Sequence, residues 1–330
     1  MSAPTVRRIL FPTDYSRCAE GAYRHAAYLA DRFSATLHVL HVAGADPDDA
    51  SSIPIGGAGT GHLTITMADV YEDLGLPAPE PEPDYDLLEL VEIVETEVDA
   101  SPPAEAILDA IHDDEIDLVV MGTHGRTGWR RGVLGSVTEA VLRRAPCPVL
   151  TVRPLDAEVS DRAWPPSRVL LAVDPAFDSD PDAPPTVAPA MRWAAQLAAA
   201  YRASLDLLYV TPPTPLTSFG SDRATQERTR LRSALGRLGT ALCDEVNTDL
   251  RVDVDVRVGA PADTIRTVAA ENGTHLVVAG THGWQGVKRA VLGSVAESVL
   301  RTAECPVLIV PNDLNIEIPD ADTKRTSAVA

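Results

Sequence analysis

The pattern of apolar and polar residues is clearest between residues 168 and 310, where short apolar runs alternate with amphipathic segments. Short apolar runs indicate strands, and a 3.6-residue period indicates helices. The pattern predicts strands at 168–173, 205–210, 251–258, 275–280 and 306–310, and helices at 188–203, 223–246, 262–271 and from residue 294. Continuous apolar strands are typical of a parallel sheet buried on both faces, so we expect a doubly wound α/β fold.

The first part of the chain follows the same plan, with strands predicted at 7–12, 36–42, about 91–98, 117–121 and 148–152. Residues 43–85 replace the long helix of the other part and are rich in Gly, Pro, Ser and Asp. A long loop with one short helix near 66–74 is expected there. "GGAGTG" at 56–61 departs from G-x-G-x-x-G because the last position is His62, so we interpret it as a flexible loop rather than a phosphate loop.

A repeat explains the shared plan. "GTHGRTGWRRGVLGS" at 122–136 returns as "GTHGWQGVKRAVLGS" at 280–294, an offset of 158 residues. Asp14 in "ILFPTD" matches Asp174 in "VLLAVD". A period this long indicates a duplicated domain rather than a solenoid. The predicted division is a first domain at 1–153, a linker at 154–166, a second domain at 167–311 and a disordered tail at 312–330.

Each copy of the repeated motif begins at the end of a fourth strand and ends where a helix starts. Ser136 with Glu139, and Ser294 with Glu297, have the spacing of a capping box. A glycine-rich loop that leads into a helix N-terminus can bind phosphate through free backbone amides, or it can serve only as a capped turn. Local basic residues favour phosphate binding; they are Arg126, Arg130, Arg131, Lys288 and Arg289.

The expected topology indicates where in the fold a ligand would bind. If the chain turns back after the third strand, the first and fourth strands lie side by side, and doubly wound folds bind ligands at that point. Asp14 and Asp174, at the ends of the first strands, would then face the two glycine loops.

On these residues the sequence resembles the universal stress protein family. The family's ATP-binding pattern, Gly-x2-Gly-x9-Gly-Ser, is intact in both copies, and "ILFPTDYS", "PCPVL" and "ECPVL" are similar to the family's first and last strands. The resemblance spans nearly the whole chain apart from residues 43–85, the linker and the tail. It implies two tandem five-stranded, Rossmann-like domains of strand order 3-2-1-4-5, packed as an internal pseudo-dimer.

The resemblance also implies site residues. Asp14 and Asp174 would lie near ribose and adenine, and the main chain of Val42 and Val210 near adenine. The phosphate loops would use Met121, Gly122, Gly125, Gly135, Ser136 and Val137 in the first copy, and Ala279, Gly280, Gly283, Gly293, Ser294 and Val295 in the second. Two departures weaken the first site: Ser101 stands where the second copy has Gly259, and no second helix is predicted there.

The resemblance implies an ATP-binding protein of stress response or signalling, with AMP or another adenine nucleotide as alternatives and Mg²⁺ accompanying ATP. A scaffold or regulatory protein with structural or no nucleotide, and a slow ATPase or autophosphorylating protein, are the competing functions. No P-loop lysine or G-x-S-x-G nucleophile motif occurs, so we expect neither efficient hydrolysis nor catalytic residues. An unknown protein partner and a homodimer are further possibilities.

The composition of the chain is strongly acidic. Forty-eight acidic residues against 28 basic ones give a net charge of -20, and the only lysines are Lys288 and Lys324. Such a surface repels nucleic acid and anionic lipid and suits high salt, as in a halophilic protein, although a GC-rich genome would also favour Arg over Lys. No apolar run of about 18 residues and no signal peptide occur, so a cytoplasmic location is expected.

Cysteine and histidine positions argue against a metal site. Cys18, Cys147, Cys243 and Cys305 form no C-x-x-C pair, and we expect them to be buried as small apolar residues. His38 and His41 would point to opposite faces of a strand. His124 and His282 lie inside the loops, where they could act as general acid or base or could have a structural or ligand-contact role.

Overall fold

The computed structural model describes residues 6–43, 61–66, 90–100, 102–123, 134–153, 165–173, 187–211, 221–246, 249–281, 292–312 and 314. We call the described residues up to 153 the first half and those from 165 the second half. Strands of the first half are β1 (Arg8–Thr13), β2 (Thr36–Ala43), β3 (Gly61–Thr66), β4 (Leu90–Asp99), β5 (Leu118–Gly122) and β6 (Val149–Val152). Strands of the second half are β7 (Arg168–Val173), β8 (Ser204–Thr211), β9 (Val252–Val258), β10 (Leu276–Gly280) and β11 (Val307–Val310).

The described helices are α1 (Arg17–Phe33), α2 (Pro103–Asp113), α3 (Ser136–Arg144), α4 (Pro189–Tyr201), α5 (Ser221–Val246), α6 (Pro261–Glu271) and α7 (Ser294–Thr302). Local sequence explains several of their ends. The Ser16 side chain caps α1 by accepting a hydrogen bond from the Ala19 amide, and a proline opens α2, α4 and α6. Proline suits a first helical turn because its missing N–H would have no helical partner there.

All described strands form one sheet, in the order β3-β4-β2-β1-β5-β6-β11-β10-β7-β8-β9. In each half the five parallel strands follow the predicted order 3-2-1-4-5, as β4-β2-β1-β5-β6 and as β9-β8-β7-β10-β11. The first and fourth strands are neighbours in both halves. The predicted doubly wound fold is therefore confirmed.

The two halves join through their last strands. β6 and β11 pair antiparallel, with Leu150 opposite Leu308 and Thr151 opposite Val307. Leu150 and Leu308 are equivalent residues of the repeat, so the joint is self-complementary like the interface of a two-fold dimer. This pairing confirms the internal pseudo-dimer.

Helices cover both faces of the sheet. Helices α1, α4 and α5 bury their apolar side chains against one face, and α2, α3, α6 and α7 against the other. Helices α1 and α4 also meet across the halves, where His25 Nδ1 lies 2.8 Å from the Tyr201 hydroxyl and Tyr28 stacks on the Tyr201 ring. Both faces of the sheet thus contribute to packing between the halves.

The inserted segment differs from its prediction. Residues 61–66 form a strand, β3, which pairs antiparallel with β4 from Gly61–Glu95 to Thr66–Leu90, so the expectation of loop and short helix was wrong there. The rest of the predicted 66–74 helix, and residues 56–60 of "GGAGTG", lie outside the described residues.

Candidate functional site

The strand register places several predicted site residues at the same edge of the sheet, where the parallel strands end. Thr13, the last residue of β1, pairs with His41 of β2, which places Asp14 beside Val42. On the other side of β1, Ile9 and Leu10 pair in parallel with Leu118 and Val119, so β1 and β5 end at the same edge of the sheet. Met121, Val210 and Ala279 belong to the apolar cluster on the α3 face of the sheet, and Val42 packs against the same cluster.

The bases of the two glycine loops are built alike. Thr123 donates its amide to the Val152 carbonyl at 2.9 Å and accepts a hydrogen bond from the Gly135 amide at 2.9 Å. In the second half, Thr281 donates to Val310 at 2.9 Å and accepts from Gly293 at 2.7 Å. Residues 124–133 and 282–291, between these anchors, lie outside the described residues. The repeat therefore conserves the geometry of each loop's closure as well as its sequence.

The capping boxes predicted at these helices were wrong. Gly135 and Gly293 are the N-cap residues, so each serine is the first residue inside its helix. Glu139 and Glu297 bind Arg143 and Arg301 one turn later instead of reaching back to the cap. The first helical hydrogen bonds are from the Glu139 and Glu297 amides, so three amides precede them in each helix. Those amides, and the serine hydroxyl, are the groups that an anion at the helix N-terminus would meet.

Gly122 is required by packing within the protein. A Cβ at Gly122 would lie 2.9 Å from the Cys18 Sγ. The Cys18 thiol is buried and donates to the Val152 carbonyl at 3.3 Å, so it cannot easily move. A close approach to α1 explains this glycine whether or not a ligand is present.

Thr138 braces the first loop and has no counterpart in the second. Its hydroxyl donates to the Gly122 carbonyl at 2.9 Å, and only 3% of the residue is exposed. The bond ties the first turn of α3 to the end of β5. The equivalent residue in α7 is Ala296, which has no hydroxyl. Sequence reasoning missed Thr138, although a polar residue at a buried helix position was a visible signal.

The two halves differ at two neighbouring positions: the first half has Ser101 and Ala106 where the second has Gly259 and Thr264. A Cβ at Gly259 would lie 2.5 Å from the Thr264 hydroxyl. The first half has Ala106 at the position of Thr264, so it lacks the hydroxyl that excludes a side chain. Ser101 itself lies outside the described residues. The first half therefore has a larger residue at the position of Gly259 and a smaller one at the position of Thr264.

Two histidines of β2 have separate surroundings. His41 is buried, and its Nδ1 donates to the Thr13 carbonyl at 2.9 Å while the Tyr15 ring lies beside it. His38 Nδ1 is 3.6 Å from an Asp114 carboxylate oxygen. The two side chains therefore do not share a ligand. Within the described parts of the chain, no group of three His, Cys, Asp or Glu residues could hold a metal ion.

The cysteines are mostly buried, as expected for small apolar residues. Cys18, Cys147 and Cys305 are buried and Cys243 is half-buried. Burial raises the pKa of the Cys147 thiol to about 12. Such a thiol stays protonated and behaves as an apolar group.

Several predicted site residues lie outside the described residues: Gly125, Asp174 and Gly283, the loop histidines His124 and His282, and the basic residues Arg126, Arg130, Arg131, Lys288 and Arg289. Asp14 is described, and its side chain accepts a hydrogen bond from the Ser16 amide at 3.0 Å.

None of the helices that the structure describes is long and apolar enough to cross a membrane.

Known proteins share this architecture. A universal stress protein of Mycobacterium tuberculosis is 31% identical over 216 residues, which cover 66% of this chain and 68% of that relative. One of Methanocaldococcus jannaschii is 31% identical over 154 residues, covering 44% of this chain and 82% of the relative. The crystal structure of a universal stress protein from Archaeoglobus fulgidus matches the fold over 92% of this chain and 96% of its own, with a TM-score of 0.54 and 20% identity.

The sequence profile of the Universal stress protein family agrees with the internal repeat. It matches residues 5–153 and, separately, residues 167–311, so each half carries one copy of the family's domain. Together with the duplicated loop closure and the fold, this match shows that the chain belongs to the universal stress protein family.

Proposed function

We propose that the protein binds an adenine nucleotide, ATP first among them, at two sites and acts in stress response or signalling. The observation that carries the proposal is the loop closure: in both halves one backbone hydrogen bond joins the end of the fourth strand to the glycine before a helix. This bond holds the ends of the Gly-x2-Gly-x9-Gly-Ser loop beside three helix amides. A helix N-terminus favours phosphate through its free N–H groups and its dipole.

The base and ribose would lie where the first two strands of each half end. Val42 and Met121 offer apolar surface on the α3 side in the first half, and Val210 and Ala279 offer it on the α7 side in the second. Asp14 supplies a carboxylate beside Val42 that can accept a hydrogen bond from a ribose hydroxyl. Each site would thus bind phosphate through backbone and serine, and base through apolar contact.

The test is a pair of substitutions at the helix caps. Gly135→Val and Gly293→Val together place a branched side chain where the phosphates would approach. Isothermal titration calorimetry should then show no ATP binding, while circular dichroism stays like that of the unmodified protein. Gly236→Ala is the matched control, because a Cβ at this helix glycine meets nothing within 4 Å. Unchanged ATP affinity in the folded double variant would refute the proposal.

Mass spectrometry of small molecules released on denaturation would identify the nucleotide. ATP, AMP and cyclic AMP differ in mass, and their titration into nucleotide-free protein ranks their affinities. Release of inorganic phosphate on incubation with ATP and Mg²⁺ would reveal a slow ATPase. If no nucleotide is released and none binds, a scaffold function is favoured instead.

A further inference from the structure

Arg153 connects the first half to a helix of the second half. It follows β6 directly, and its Nη2 donates to the Leu300 carbonyl at 3.0 Å and to the Arg301 carbonyl at 2.6 Å. Both carbonyls belong to the last turn of α7. Carbonyls in a last turn have no partner inside their own helix. The arginine of one half therefore completes a helix end of the other.

Arg153 is less exposed to solvent than the arginine of a surface ion pair such as Arg8–Glu115. The side chain is partly buried, and burial lowers its pKa from the ordinary arginine value, while nearby Cys305, Glu304 and Cys18 act in the opposite direction. An arginine keeps its charge under such conditions. A cation at a helix C-terminus also complements the helix dipole.

The repeat does not supply a reciprocal contact. The residue equivalent to Arg153 is Pro311, which has no side-chain donor. The carbonyls of α3 that correspond to those of Leu300 and Arg301 belong to Leu142 and Arg143. The C-terminal end of α7 is therefore held by an arginine of the first half, whereas the position equivalent to Arg153 offers α3 no arginine.

We propose that Arg153 is a positioning residue that the first half contributes to the second nucleotide site, by fixing the helix whose N-terminus faces the second phosphate loop. The inference rests on the proposed nucleotide binding. Helix α7 runs only from Ser294 to Thr302. At 1.5 Å per residue it is about 13 Å long, so a shift of its C-terminal turn is transmitted to Ser294.

The same stretch of chain contacts the first loop. Val152, the neighbour of Arg153, accepts hydrogen bonds from the Thr123 amide and the Cys18 thiol at the base of the first loop. The adjacent residues 152 and 153 thus contact the base of the first loop and the end of α7, respectively. Only the first half contributes such a side chain to the other half's helix, because the equivalent Pro311 has no side-chain donor.

The experiment compares two proteins that each keep one site. Gly135→Val leaves the second site, and Gly293→Val leaves the first. Arg153→Met, which keeps an unbranched chain about as long as the aliphatic part of arginine and removes the charge and donors, is added to each. We expect ATP affinity at the second site to fall about fivefold or more, as for typical coupling between sites, and affinity at the first site to stay unchanged. Arg153→Lys, which keeps a charged donor, should restore part of the loss.

A general structural defect gives a different result. Arg153 follows a strand of the first half, so disruption of β6 would weaken the first site at least as much as the second. Equal losses at both sites, or no loss at either, would overturn the inference. If neither single-site protein binds ATP before Arg153 is changed, the proposed function itself fails.

Hydrogen exchange tests the positioning role without a ligand. Arg153→Met should speed exchange of the Glu297 amide, the first hydrogen-bonded amide of α7, and leave the equivalent Glu139 amide of α3 unchanged. Unaltered exchange at Glu297, in a variant with an unaltered thermal melt, would overturn the inference even if nucleotide binding changed.

Discussion

At the scale of single residues, Thr274 places a hydroxyl in an apolar environment. It is 2% exposed, and its Oγ1 is buried without a hydrogen-bond partner among the described residues. The equivalent residue of the first half is Ile116, which is also buried. Removing an unsatisfied buried hydroxyl avoids its desolvation cost, so Thr274→Val should raise the free energy of unfolding by about 1 kcal/mol.

Urea denaturation measures this change, and Thr151 provides the control. Thr151 is equally buried, but its hydroxyl donates to the Val307 carbonyl across the joint of the halves at 3.0 Å. Thr151→Val should therefore lower the free energy of unfolding. Opposite signs for the two substitutions are expected, and a loss of stability in Thr274→Val would contradict the prediction.

His25 makes stability depend on pH. Burial lowers its pKa from 6.5 to about 3, and nearby Arg24 adds to the effect. Between these values the unfolded chain binds a proton that the folded protein does not, so this group lowers stability as pH falls from 6.5 toward 3. The slope is about 1.4 kcal/mol per pH unit. His25→Gln cannot titrate and should flatten the pH dependence of urea denaturation between pH 4 and 6, whereas an identical slope in both proteins would refute the assignment.

At the scale of elements, α5 contains two glycines in contrasting surroundings. A Cβ at Gly236 meets nothing within 4 Å, whereas one at Gly239 would lie 2.9 Å from Val252 Cγ1 on β9. Alanine is better than glycine in a helix by about 1 kcal/mol. Gly236→Ala should therefore raise the melting temperature. Gly239→Ala should not raise it, because the stiff Val252 side chain must shift; equal gains in both variants would show that α5 does not pack closely on β9.

Elements with a strong local pattern were predictable from the sequence. β7 occupies residues 168–173 as predicted, and the proline at 261 opens α6. β3 was missed because Gly, Pro, Ser and Asp dominate the segment around it, although Leu63, Thr64, Ile65 and Thr66 alternate apolar and polar as in a strand. The predicted capping boxes were wrong because the glycines, not the serines, are the N-cap residues. Gly135 and Gly293 bond to Thr123 and Thr281, a tertiary contact, and each helix therefore begins at the serine that follows.

The candidate site was also predictable only in part, because some of its contacts join residues distant in sequence. The spacing of glycines predicted the loops, the expected topology predicted Asp14, and the family resemblance predicted Val42. Thr138 and Arg153 donate to carbonyls distant in sequence, so no local pattern identifies their partners, although the polar Thr138 at a buried helix position was itself a signal. Gly122 showed the converse: this glycine has a packing cause, Cys18, that spacing cannot distinguish from ligand contact.

At the scale of the whole molecule, charge is unevenly distributed. Residues 1–166 contain 28 acidic and 12 basic residues, and residues 167–330 contain 20 and 16. Self-repulsion of a net charge of -20 is screened by salt, because the Debye length falls from about 10 Å at 0.1 M to about 3 Å at 1 M. Exposed pairs such as Arg8–Glu115 weaken as well, but surface pairs contribute little.

The melting temperature should therefore rise between 0.1 M and 1 M KCl. Differential scanning fluorimetry measures it, with KCl preferred over sulfate because sulfate also strengthens apolar burial. A flat or falling melting temperature would favour the composition of a GC-rich genome as the cause of the lysine deficit.

The two proposed sites should differ in affinity because the halves hold their loops differently. The first loop is rich in arginine and is braced by Thr138, and the second has fewer basic residues and Ala296. The second helix, however, is held from the first half by Arg153 through two charge-assisted hydrogen bonds, which are about twice as strong as neutral ones. Loop charges are screened and contribute about 1 kcal/mol or less per pair.

We therefore expect the second site, with Gly293 and Ser294, to bind ATP more tightly than the first. Calorimetry on the single variants measures this directly: Gly135→Val keeps the second site, and Gly293→Val keeps the first. Adding Thr138→Val to Gly293→Val should weaken the first site further, because the valine keeps the shape of the threonine without its bond to Gly122. The prediction is wrong if the protein that keeps only the first site binds ATP as tightly as, or more tightly than, the protein that keeps only the second.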